Sequence, residues 1–193
     1  AFSLQSIKSV IIITSPKDLR EKFVSGKIDS SYATFGFNPY GYTISGSVAY
    51  SVSNKNADLA CNYDLLNQEY APLLNNTDKR LIVMVDRGDC FFVEKVQNIQ
   101  KLGALAAIII NDQPNQKVED IIMSGNPTMD IVIPAILISR EDGTKLKEYM
   151  IQNPEKQLNF DIDFQIEHKS NTVTVDVFTT ELNDAVYNLF AEF

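Results

Sequence analysis

The side chains best placed to do chemistry fall in one run, Asp86-Arg87-Gly88-Asp89-Cys90-Phe91-Phe92. Arg87 carries a rigid fork of N–H donors that suits peptide carbonyls or a carboxylate. Asp89 can accept from backbone amides, Gly88 permits close approach of another backbone, and Cys90 can tether the run to another segment. Together these types offer recognition rather than turnover. A plainer role stays open for Asp86 and Asp89, which could simply cap the helix that follows, where negative charge is favoured.

Other chemistries find no support. His168 is the single histidine, and no GxSxG elbow supplies a nucleophile for it. One glycine flanked by Asp86 and Asp89 cannot cradle phosphate, because the carboxylates repel it. Asp161, Asp163 and Glu167 share the polar face of one strand, with Gln165 between them. Ligands in a line do not gather a calcium ion, so these read as a solvated ridge. No carboxylate pair stands out for glycoside chemistry. The expectation is no catalytic residue, no cofactor and no metal.

The formal charge of −8 and a pI near 4.6 argue against nucleic acid and anionic membrane surfaces, which need a basic footprint. No run reaches the ~20 apolar residues of a membrane span. Ala1-Phe2-Ser3 lacks an initiator Met and a basic leader, and reads as the mature end left by a removed signal peptide. The expected location is therefore the secretory-pathway lumen or the extracellular space. There, Cys61 and Cys90 are expected to pair, and Asn75-Asn76-Thr77 offers a glycosylation sequon at Asn75.

The elements that must position the 86–92 run follow from periodicity. Leu81–Val85 and Leu105–Ile110 are apolar runs of strand length. Between them Phe92, Val96, Ile99 and Gly103 recur at helical spacing, with Glu94, Lys95, Gln97, Asn98, Gln100 and Lys101 on the other face. This predicts a parallel βαβ unit, with the charged run at the C-terminal end of its first strand, where α/β sheets bind ligands. Further strands are expected at Ser9–Thr14, Thr43–Ser51, Ile131–Ile138, Phe160–Ile166 and Val173–Val177. Pro134 would demand a bulge or an edge within the third of these. A helix should start at Ser139 as N-cap, with Asp142 in the capping-box position, Leu146, Tyr149 and Met150 inward, and Asn153-Pro154 at its end. Tyr32–Tyr42 reads as a structured loop whose aromatics anchor it, and Asn54–Thr77 as a long connection. The class is α+β, with about seven strands and a βαβ unit embedded in mostly antiparallel pairing. In residues 184–193 the apolar Val186, Leu189, Phe190 and Phe193 are compatible with one helical face.

The block VDRGDCFFVEKVQNIQKLGALAAIIIND, starting at Val85, resembles the core of the protease-associated (PA) domain, most closely that of vacuolar sorting receptors. Phe35-Gly36 through Tyr40-Gly41, Gly46–Tyr50, Ile133–Ser139 and Val173–Thr180 resemble further segments of that family, in the same order. The resemblance covers roughly Ser9 to Asn183, and implies one PA domain over 1–183 of packed β-sheets and flanking helices, followed by the apolar tail. It implies a non-catalytic module that binds peptide or protein ligands through Arg87, Gly88, Asp89, Cys90, Phe91 and Phe92. It also supports a Cys61–Cys90 disulfide. The receptors carry further domains and a membrane span; with none of these read in the sequence, the expectation is either a receptor fragment or a stand-alone soluble relative. The alternative expectation is an assembly protein, self-associating or docking on a partner through Val186, Leu189, Phe190 and Phe193.

Overall fold

In the computed structural model, which describes residues 8–52, 56–74, 80–125 and 130–164, seven strands close into one barrel. They are β1 (Lys8–Ser15), β2 (Lys27–Tyr32), β3 (Thr43–Ala49), β4 (Leu81–Asp86), β5 (Ala106–Ile110), β6 (Ala135–Ile138) and β7 (Leu158–Asp163), in the order β1-β2-β6-β5-β4-β3-β7. The β3–β4, β4–β5 and β5–β6 pairs are parallel, and the rest are antiparallel. Four helices accompany them: α1 (Lys17–Arg20), α2 (Tyr63–Leu74), α3 (Phe92–Leu102) and α4 (Arg140–Gln152). The α+β class holds, and its parallel part is larger than one βαβ unit. None of these helices is long and apolar enough to cross a membrane.

Strand alternation divides the core in two. Ile82, Met84, Ile108, Ile110, Ile136 and Ile138 pack with Ile11, Ile13, Phe160 and Ile162. Their neighbours Val83, Val85, Ala107, Ile109 and Leu137 pack instead with Leu66, Tyr70, Val93, Val96 and Ile99 of α2 and α3. Successive side chains of a strand face opposite ways. With both faces covered, β4, β5 and β6 must be apolar throughout, which is why they read as unbroken runs.

The helices stop and start where their residues dictate. Gly103 closes α3 at φ 93, a left-handed value cheap only for glycine. Ser139 Oγ accepts from the Asp142 amide at 3.0 Å and donates to its carboxylate at 2.9 Å, capping α4. On α4, Gly143 lies against the barrel: a Cβ there would sit 2.2 Å from Ile110 Cγ2. Alanine would gain about 1 kcal/mol of helix propensity, but overpacking typically costs ~1–3 kcal/mol. Ile110 is only 2% exposed and hemmed in. Gly143→Ala is therefore expected to lose about 1–2 kcal/mol, read as a lower urea midpoint. A raised midpoint would mean that α4 can back away from the barrel.

Several expectations need correction. β2 carries Lys27, Asp29, Ser30 and Ser31, and so lacks an apolar rhythm. It is held by backbone pairing and by a 2.6 Å hydroxyl contact between Ser9 and Ser30. The long connection expected over Asn54–Thr77 contains α2, whose start is capped by Asn62 Oδ1 accepting from the Asp64 and Leu65 amides. Pro72 in its last turn hides it from pattern reading. Pro134 makes neither bulge nor edge, because β6 begins one residue after it, and its carbonyl accepts from the Ala107 amide at 3.0 Å. Lys95 is not on a wet helix face; it is fully buried. Of the loop aromatics, Tyr32, Phe35 and Tyr40 anchor, Tyr32 stacking on Phe164 at 5.1 Å and meeting Tyr40 edge-on at 6.2 Å, while Phe37 and Tyr42 are exposed. The expected strand Val173–Val177, His168, Glu167, the sequon at Asn75 and the tail 184–193 lie outside the described residues.

Candidate functional site

The C-terminal ends of the parallel strands meet along one rim, and each contributes a polar residue there. β3 leads into Tyr50, β4 ends in Asp86 and Arg87, β5 runs into Asn111 and Asp112, and β6 is followed by Ser139 and α4. This arrangement gathers side chains that are far apart in sequence.

Asp86 is a structural hub. Its carboxylate accepts from Lys147 Nζ of α4 at 2.9 and 3.0 Å and from the Tyr50 hydroxyl at 2.9 Å. The Tyr50 hydroxyl also lies 3.3 Å from Asp58 Oδ2. Lys147 Nζ sits 5.4 Å from the centre of the Tyr50 ring. Burial first, then the Asp86 and Asp58 charges, push the Tyr50 phenol far up, so it stays a proton donor. Asp86 thus joins β3, β4 and α4, and does not cap α3.

Arg87 follows with its side chain aimed the other way, as strand alternation requires. Its Nη1 donates to Asn111 Oδ1 at 2.8 Å, its Nε pairs with Asp112 at 3.4 Å, and its guanidinium lies 5.3 Å from the centre of the Phe92 ring. Asn111 is itself buried, and its Nδ2 donates to the Gln113 carbonyl at 3.3 Å. The guanidinium is therefore set in a fixed plane, with N–H groups beyond those two contacts.

Gly88 (φ 127) and Asp89 (φ 62) then turn the chain. Asp89 is exposed. The cap of α3 comes from within the helix: Phe91 occupies the N-cap position, and Glu94 Oε2 accepts from its amide at 3.2 Å. Phe91 points outward, 76% exposed, while Phe92 packs against the α2–α3 core.

A second segment underpins this turn. Cys61 and Cys90 form a disulfide. The three residues before Cys61 are also fastened: the Asp58 carbonyl accepts from the Asp86 amide at 2.7 Å, that of Leu59 from Lys95 Nζ at 2.5 Å, and that of Ala60 from Asn98 Nδ2 at 2.9 Å. Lys95 Nζ also lies 3.4 Å from Cys61 Sγ. Desolvation lowers the Lys95 ammonium to about 8, against the opposing pull of Asp89, Asp86, Asp58 and Glu94.

Arg87, Gly88, Asp89, Cys90, Phe91 and Phe92 thus sit together on one tethered turn. Pattern reading missed Tyr50, Asn111, Asp112, Lys147 and the buried role of Lys95. The signal for Asn111 and Asp112 was their place directly after an apolar strand run; none marked Lys147. A cleft of about 230 Å³ beside the site is lined by Tyr50, Tyr70, Leu73 and Met150, but not by Arg87 or Phe91. Among the described residues, no group of His, Cys, Asp and Glu is arranged to hold a metal ion.

Comparison with known proteins places this geometry. The chain is 27% identical over 177 residues to vacuolar-sorting receptor 2 of Arabidopsis thaliana, covering 89% of this chain and 27% of the receptor. It is 28% identical to vacuolar-sorting receptor 1 of Pisum sativum, covering 89% of this chain and 26% of that receptor. The chain thus spans about a quarter of the length of the curated relatives it matches. In fold it is similar to the zinc aminopeptidase BSAP of Bacillus subtilis, with a TM-score of 0.54 and 15% identity, over 84% of this chain and 31% of that one. The family model of the PA domain matches residues 44–146, from β3 into α4, and the chain belongs to the PA domain family.

Proposed function

We propose that this chain is a non-catalytic binding module of the secretory-pathway lumen or the extracellular space, which takes a peptide or protein segment on the 86–92 turn. The observation that carries the reading is a large aromatic, Phe91, held 76% exposed at the tip of a disulfide-tethered turn, beside the fixed guanidinium of Arg87. A rigid aromatic presented to solvent next to an oriented donor fork is the composition of an interface anchor. The turn is also held in place before any ligand arrives, which lowers the ordering cost of binding. Likeness to the sorting receptors and a disulfide both support this role and location.

Selection from a library of linear peptides displayed on phage tests the reading. Phe91→Ala is the cleaner variant, because Arg87→Ala would also strip the donor from buried Asn111. Selected peptides are expected to bind Phe91→Ala at least about tenfold more weakly, with the melting temperature unchanged, as for an interface anchor. Peptides that ignore both Phe91→Ala and Arg87→Lys would place binding elsewhere.

A further inference from the structure

We propose that the ligand of the 86–92 turn presents a basic side chain, lysine or arginine, to Asp89 and the exposed face of Phe91, while Arg87 holds peptide carbonyls; this rests on the binding role proposed above.

The inference comes from which charges at the rim are already committed. Lys147 is bound to Asp86, Lys95 is fully buried on the Leu59 carbonyl, and Arg87 is paired with Asp112 and bonded to Asn111. Arg140 Nη1 donates to the Asp112 carbonyl at 3.3 Å. The charges of these cations are thus paired or hydrogen-bonded within the rim, although Arg87 keeps N–H donors beyond its two contacts. At the tip itself the exposed charge is a carboxylate, that of Asp89, two residues from the outward ring of Phe91. An aromatic face and a carboxylate together favour a cation, through the ring quadrupole and direct pairing.

The start of α3 would ordinarily invite an anion. Here the Phe91 amide is taken by Glu94, so an anionic side chain of the helix itself already sits at that pole. An acidic ligand would have to approach the exposed carboxylate of Asp89, offset only by the buried ammonium of Lys95. A basic one meets that carboxylate favourably. The overall charge of −8 adds long-range attraction of the same sign.

Asp89 is also a clean position to test. Its φ of 62 is one that asparagine tolerates as well as aspartate, so Asp89→Asn removes the charge without straining the turn. The experiment uses the phage-selected peptides, synthesised singly, in a double-mutant cycle. The peptides should be enriched in Lys and Arg. Replacing the key basic residue by Gln should weaken binding roughly five- to tenfold on the wild-type chain, and less than about twofold on Asp89→Asn. Raising the salt concentration should weaken the wild-type complex more than the Asp89→Asn complex.

Peptides that need Phe91 but show no basic excess, or that lose equally on both chains, overturn the charge preference and leave the binding turn standing. Enrichment in Asp and Glu overturns it with the opposite sign. A selection that yields no peptides overturns both readings.

Discussion

Replacing both cysteines, Cys61→Ala with Cys90→Ala, is expected to lower the unfolding free energy by about 3–4 kcal/mol. The bond closes a loop across a separation of 29 residues, and its loss frees the unfolded chain to explore conformations it could not reach. For a chain of this size, that corresponds to a melting temperature lower by roughly 10 °C. The urea m-value should rise, because an uncrosslinked unfolded chain exposes more surface. Ligand binding below the melt should survive nearly intact. The Asp58, Leu59 and Ala60 carbonyls keep their bonds to the Asp86 amide, Lys95 and Asn98, so the buttress behind the turn persists without the sulfurs. A double variant of unchanged stability, or one that folds normally yet no longer binds, would show that the bond acts on the folded turn instead.

Stability should also climb with pH between about 8 and 9.5, by roughly 1 kcal/mol, and Lys95 is the reason. In the unfolded chain its ammonium titrates at the ordinary 10.5; in the folded chain, burial lowers it to about 8. Below pH 8 both states hold the proton, and the folded state bears the full cost of a desolvated charge. Between the two values the unfolded chain binds more protons than the folded one, so raising the pH favours folding. Above about pH 9.5 the trend should reverse. Tyr32, Tyr50 and Tyr70, all pushed upward chiefly by burial, keep their protons in the folded chain while the unfolded chain loses them. Urea unfolding at stepped pH values reads both limbs. Lys95→Met should lack the rising limb; the same rise in that variant would remove Lys95 as its cause.

How much of this was legible beforehand differs by element. The frame around the turn was plain: two apolar runs, a helix of period 3.6 between them, a glycine at the helix end, and Ser139 with Asp142 opening α4. Each is a signal carried by residues close in sequence, where local sterics and hydrogen bonding act directly. The Cys61–Cys90 pair was legible too, since two cysteines in an oxidising compartment have one possible intramolecular partner each. α2 and β2 were obscured because their stability comes from what they pack on. α2 buries only Leu66 and Tyr70 and carries a proline, and β2 is rich in serine and charge.

The site itself was split in the same way. Sequence alone determined that Arg87, Asp89, Phe91 and Phe92 share one short turn between a buried strand and a helix. The tertiary structure alone decided what each of them is free to do. Parallel pairing of β4 with β5 sets Asn111, 24 residues on, beside Arg87, and only the packing of α4 on the rim brings Lys147, 61 residues on, against Asp86. Only the segment laid across α3 turns Lys95 from a surface charge into a buried one. The Lys147 and Lys95 pairings follow from burial and charge compensation at a distance, and no local pattern encodes them. They also decide the character of the turn: its cations are paired within the rim, and what remains for a partner is the ring of Phe91, the carboxylate of Asp89 and the spare N–H groups of Arg87.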